Sequence, residues 1–193
     1  MDWFWLFLFY GFLGYLLERM FAKVTASPQQ VRKGFLLLPV CPVYGTAMVL
    51  FLAVTDWREA GGWHLFWWGA GLATAVEYVT HLFYERAFGV AFWDYRGVPG
   101  CLGGGRVCLP FSLVWGALSA AAAVVLQPLL EPLAAGIPPA VTYAALLLFV
   151  ADGVSSASVL LHCRDTELLS LRAIRSKLGE TGRTEPITQA DGR

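Results

Sequence analysis

Glu77, His81 and Glu85 follow one another at four-residue intervals in EYVTHLFYERAF. On a helix such positions share a face, so a carboxylate, an imidazole and a second carboxylate form one polar stripe. A stripe of this kind can pass protons, bind a cation or meet arginines. Two more carboxylates end apolar runs: Glu18 in LFLFYGFLGYLLE and Asp152 in LLLFVAD. An ionisable group at membrane depth is costly unless it faces protein or water, which makes each a candidate for binding or transport. Glu18 is expected near the inner interface, with Arg32 or Lys33 as its partner. Asp152 is expected mid-span, where Ser155, Ser156 and Ser158 can hydrogen-bond it.

The stretch WDYRGVPGCLGGGRVC, residues 93–108, adds Asp94, Arg96 and Arg106 to three adjacent glycines. Trp93 and Tyr95 suit an interface, and the glycines open backbone conformations closed to other residues. Exposed amides beside a guanidinium can hold an anionic head group. The favoured expectation is instead a loop tucked back into the bundle, with Arg106 on Glu77, Glu85 or Asp94. The glycines are not followed by Lys-Ser/Thr, so this is no Walker loop. Upstream, RKGFLLLPVCPVYG places Pro39 and Pro42 near the start of an apolar run. Two missing amide donors predict an irregular helix start, tolerated where protein or a wet cavity satisfies the backbone.

These residues need elements to position them. The 193-residue chain is 57% hydrophobic and 15% charged, with formal net charge zero and mean hydropathy +0.57. That composition belongs to a membrane protein and offers no basic stripe for nucleic acid. Runs of about 20 apolar residues predict five transmembrane helices: Trp3–Phe21, Phe35–Thr55, Trp63–Tyr84, Pro110–Leu130 and Pro138–Leu161. The fold class is therefore all-α, a polytopic helix bundle. All the lysines and arginines except Arg58 fall on one side of a five-span arrangement. The positive-inside rule then puts the N-terminus outside and the C-terminus in the cytosol. Trp3, Trp5, Trp57, Trp63, Trp67 and Trp68 form an aromatic belt near the outer face. Gly69 with Ala73, and Gly116 with Ala120, mark close packing of the third and fourth helices. Residues 1–161 make a transmembrane domain. Residues 162–193 make a cytosolic tail, a short amphipathic helix followed by a disordered end. Cys41, Cys101, Cys108 and Cys163 lack metal-site spacing and are expected reduced. Neither a metal nor a cofactor is expected.

Taken together, GFLGYLLE, RKGFLLLPVCPVYG, EYVTHLFYERAFGVAFWDY, GGRVCLPFSLVWG and the Asp152 helix resemble a bacterial family, the type IV ABC-transporter or CmpB-like permeases. The resemblance runs in order from about Gly11 to Asp152. It implies a multi-pass protein of the bacterial cytoplasmic membrane that acts as a transporter's membrane subunit. By position it carries over Glu18, Gly34, Pro39, Pro42, Tyr44, Gly45, Glu77, Glu85, Trp93, Asp94, Tyr95, Gly105, Arg106, Cys108, Ser112, Trp115 and Gly116. The asparagine that family members often carry just before the Gly-Arg pair is glycine in this chain. The expected function is a permease or transporter-like subunit, with membrane lipids, a separate ATPase and further copies of itself as partners. Two alternatives stay open. One is a small membrane enzyme acting on a lipid, using Glu77, His81, Glu85, Asp94 and Arg106 for acid–base work and anion binding. The other is a non-catalytic scaffold or regulator.

Overall fold

The computed structural model describes residues 2–24 and 38–164. Its helices are α1 (Asp2–Val24), α2 (Pro42–Val54), α3 (Gly62–Phe88), α4 (Leu109–Ala121), α5 (Gln127–Ala135) and α6 (Pro139–Cys163). A π-helical turn, Ala122–Leu126, joins α4 to α5. These three pieces form one rod, so the described residues make five helical rods. A two-stranded antiparallel hairpin, β1 (Cys101–Leu102) with β2 (Val107–Cys108), precedes α4.

Local chemistry explains the helix ends. Asp2 lies in the first turn of α1 and Lys23 in the last, each opposing the helix dipole there. Pro42 begins α2, where a missing N–H costs nothing. Gly89, at φ +69°, ends α3 in the left-handed conformation and donates its N–H to the carbonyls of Tyr84 and Glu85. In the α4–α5 rod, Pro132 lies inside α5 and cannot donate to the helix ladder.

Among the described residues, three rods are long and apolar enough to cross a membrane: Asp2–Val24, Leu109–Ala135 and Pro139–Cys163. The all-α membrane bundle expected from sequence is what the chain forms. The expected second span, Phe35–Thr55, needs correction: the described helix is only 13 residues, Pro42–Val54. Pro39 and Pro42 hold residues 38–41 out of the helix, and 13 residues reach about 20 Å, less than a hydrocarbon core. α3, with 27 residues, is long enough, but Glu77, His81, Glu85 and Arg86 lower its apolar character.

Glycines set the closest approaches. A Cβ on Gly14 would stand 2.3 Å from the Tyr44 ring, and one on Gly45 would stand 2.5 Å from the Phe7 carbonyl oxygen. α1 and α2 therefore pack nearly backbone to backbone. The expected small-residue contact between α3 and α4 is present. A Cβ on Gly69 would meet Ser119 at 2.6 Å, and one on Gly116 would meet the Phe66 carbonyl oxygen at 2.7 Å. The core gathers Leu6, Tyr10, Met48, Phe51, Leu52, Leu65, Ala123 and Ala134. α6 stands at the side. Phe149 meets Phe4 and Phe7 edge-on, and Trp5 Nε1 donates to Thr142 Oγ1 at 2.9 Å. Leu146, Leu147, Leu148 and Val150 of α6 are exposed, as suits a surface solvated by lipid.

Candidate functional site

The stripe on α3 divides by depth. Glu77 and His81 are buried, with Glu77 only 3% exposed, while Glu85 reaches the surface. Among the described residues, Glu77 is bonded by two aromatic side chains. Its Oε1 accepts from the Tyr95 hydroxyl at 2.7 Å, and its Oε2 accepts from Trp115 Nε1 at 3.3 Å. The Trp115 ring meets Tyr44 edge-on, with centroids 5.4 Å apart. The Tyr44 hydroxyl in turn donates to Glu18 Oε1 at 2.5 Å. Two carboxylates on different helices are thus linked through Trp115 of α4 and Tyr44 of α2, while Tyr95 of the loop before the hairpin holds Glu77 from the other side. Tyr44 is a described partner of Glu18; Arg32, Lys33 and Gly34 lie outside the described residues. His81 packs edge-on against Trp93 at 5.3 Å between centroids.

The glycine-rich loop is tucked back, as expected. Tyr95 donates its backbone N–H to the Gly105 carbonyl at 2.8 Å, and Trp93 Nε1 donates to the Arg106 carbonyl at 2.9 Å. Arg106 donates through Nε and Nη2 to Glu85 Oε2, at 3.0 and 2.6 Å. Its Nη1 donates to the Gly103 carbonyl at 2.6 Å. Asp94 accepts from the Arg96 backbone at 2.9 Å and from its Nε at 2.7 Å. Gly105 lies at φ +91°, and a Cβ there would stand 2.7 Å from Asp94 Oδ1 and 2.6 Å from Arg96 Cγ. Only glycine fits that backbone and that space. Hydrogen bonds from Arg96 hold the Asp94 carboxyl below the usual carboxylate range. The Glu85 contact raises the Arg106 guanidinium further above its ordinary value.

The hairpin connects this loop to α4. Ser112 Oγ donates to the Cys108 carbonyl at 3.1 Å, and Thr74 Oγ1 of α3 donates to Ser112 Oγ at 2.7 Å. Cys101 and Cys108 are cross-strand neighbours, both as free thiols.

Asp152 belongs elsewhere. Its Oδ2 accepts from the Leu38 backbone N–H at 2.7 Å. Ser156 bonds its backbone carbonyl at 2.7 Å and Oδ1 at 3.4 Å. Ser155 and Ser158 turn to their own helix carbonyls instead. The irregular stretch around Pro39 is satisfied by protein: Asp152 takes the Leu38 amide, and the Gly11 carbonyl takes the Cys41 amide at 2.9 Å. This is the condition under which broken backbone survives at membrane depth.

A pocket of about 150 Å³ opens among α1, α2, α3 and the α4 rod. Tyr10, Leu13, Tyr44, Met48, Glu77 and Trp115 line it, within a mostly apolar wall. Two polar residues of its lining, Tyr10 and Ser119, are not marked by the sequence pattern. Tyr10 is buried with its hydroxyl on Gln127 Oε1 at 2.9 Å, and Ser119 lies at the Gly69 contact. Gln127 stands inside the apolar run VVLQPLL, so the rule that singled out Asp152 would also have found it. Among the described residues, no three His, Cys, Asp or Glu side chains are placed to hold a metal ion.

No curated protein and no solved structure matches the chain. A family described as "Putative ABC-transporter type IV" matches residues 5–157, a span that takes in the Glu77 network, the glycine hairpin and the Asp152 contact, and the chain belongs to that family.

Proposed function

We propose that the chain is a permease or transporter-like subunit of the bacterial cytoplasmic membrane, with the pocket at Glu77 as its solute site. One observation carries this reading. A buried carboxylate, held by Tyr95 and Trp115, lines an otherwise apolar pocket between four helical segments. Small-molecule sites have this composition: apolar walls with a few placed polar groups. The family's description adds transport, and ATP hydrolysis would come from a separate subunit.

In this reading the N-terminus is outside and the C-terminus in the cytosol, with residues 1–161 in the membrane and residues 162–193 forming the tail. The concentration of lysine and arginine on one side supports it. So does the pairing of Arg58, between α2 and α3, with Glu131 of α5 at 2.6 Å, since both fall on the expected outer side. The lipid-enzyme alternative needs Arg106 and Asp94 for substrate, but Glu85 and Arg96 already engage them. Purification from native membranes tests the assignment. Co-purification of an ATPase whose turnover rises with this chain supports the ABC form; a chain that never associates with one removes it. Cysteine labelling of Arg58 and Arg96 variants in intact cells tests the orientation.

A further inference from the structure

We infer that Cys101 and Cys108 form a redox-active dithiol, closed to a disulfide by small-molecule disulfides and reopened by small thiols. The inference goes beyond the permease reading and does not depend on it.

The backbone sets the pair. Cys101 and Cys108 face each other across the antiparallel hairpin. Beside them the Leu109 N–H donates to the Gly100 carbonyl at 3.0 Å. Hydrogen-bonded and non-bonded pairs alternate along such a ladder, so Gly100 and Leu109 are a bonded pair and the two cysteines are the non-bonded pair next to it. Non-bonded partners have Cα atoms about 4.5 Å apart and side chains on one face. A disulfide spans Cα separations of roughly 4.4–6.8 Å. Both cysteines pack into one apolar cluster with Trp93, Tyr95 and Phe111, as side chains on a shared face must. The bond therefore needs no movement of the backbone.

The two thiols differ in access. Cys101 is half-buried and Cys108 wholly buried, with its Sγ 3.8 Å from the Pro99 carbonyl oxygen. That difference assigns an attacking and a resolving role. Cys101, as thiolate, attacks one sulfur of oxidised glutathione. The S–S bond of glutathione breaks, a mixed disulfide forms on Cys101 and one glutathione thiolate leaves. Cys108 then loses its proton, attacks the Cys101 sulfur and displaces the second glutathione. Two protein thiols are oxidised, one glutathione disulfide is reduced to two thiols, and the two cysteine protons end on them. Excess reduced glutathione runs the sequence backwards. On the cytosolic side, where the proposed orientation puts this loop, such bonds are transient and redox-sensing. The cluster that holds the pair also holds Tyr95, whose hydroxyl bonds Glu77. A closed bond thus ties the two strands beside the residue that positions that carboxylate.

The test uses the full-length chain in lipid nanodiscs, carrying Cys163→Ser to remove the exposed thiol. Arg106 lies between the two cysteines, so trypsin cuts the connection between them. The chain is treated with oxidised glutathione, alkylated, denatured and digested. Alkylation should count two fewer thiols, and mass spectrometry should find the peptide ending at Arg106 joined to the one beginning at Val107. Excess reduced glutathione should restore both thiols and part the peptides. Cys108→Ser should leave Cys101 trapped as a mixed disulfide with glutathione, and Cys101→Ser should leave Cys108 unmodified. If Cys108→Ser does not fold, the thiol count and the joined peptides of the parent chain still decide. A parent chain that loses no thiols, stops at the mixed disulfide or links Cys101 to Cys41 overturns the inference. So does a bond that excess reduced glutathione leaves closed.

Discussion

Glu77 and Asp152 are equally buried, each about 3% exposed, and each lies on a long helix. Their surroundings differ in kind. Asp152 spends an oxygen on a backbone amide, the Leu38 N–H, and so anchors an irregular stretch of chain against α6. Glu77 takes side-chain donors from two other segments and lines an open volume. Burial of a carboxylate in an apolar helix therefore does not by itself mark a site. Among the described residues, what separates the two is that Asp152 accepts from a backbone amide that must be satisfied, while Glu77 accepts from an aromatic frame beside open space.

The comparison can be broken most severely through its frame. Gly14→Ala drives a Cβ into the Tyr44 ring at 2.3 Å, which should cost about 3 kcal/mol by overpacking and undo the Glu18 contact. Thermal unfolding in detergent, followed by tryptophan fluorescence, reads it.

Next comes the anchor. Asp152→Leu leaves the Leu38 amide without its acceptor and should cost about 2 kcal/mol. Asp152→Asn keeps an oxygen in place and should cost well under half of that. If the two variants are equally damaging, the charge of Asp152 matters beyond its backbone bond, and the contrast with Glu77 fails.

Glu77→Gln should have the smaller stability effect, about 1 kcal/mol, because the amide oxygen still accepts one of the two donors. Its main effect should be on transport. A Glu77→Gln protein that melts like Asp152→Leu and transports like the native chain would assign Glu77 to structure alone.

The smallest effects belong to the exposed pairs of the loop. Arg106→Gln breaks the Glu85 contact, but exposed ion pairs contribute little. The shift should fall below that of Glu77→Gln and shrink in salt. Asp94 gives the pH signature. Its folded-state carboxyl titrates below the ordinary range because Arg96 bonds it. Its contribution is present at neutral pH, stays while the medium is above about pH 4, and is lost as pH falls through the lowered folded value. Asp94→Asn should flatten that acid limb of the melting curve.

Much of this arrangement is local and so readable in advance. Helical spacing placed Glu77, His81 and Glu85 on one face. Gly69 and Gly116 announced the α3–α4 contact, and the proline pair announced an irregular start to α2. The loop's return to α3 was foreseen with three partners open for Arg106, and the structure chose Glu85. Tyr10 and Gln127 carry no charge, so the cost of burying an ion does not single them out in the sequence, although a polar amide in an apolar run carries the same warning.

Composition and periodicity by themselves determine an all-α membrane bundle, its helices to within a few residues where no proline intervenes, and the set of polar groups that must find partners. These follow from the chain's own neighbours along the helix. Which partner each group finds is a tertiary decision. Tyr95 lies 18 residues from Glu77 and Trp115 lies 38, distances that no helical period spans. The pocket is tertiary too, since its volume is what remains after glycine contacts bring some helices together and large aromatic rings hold others apart.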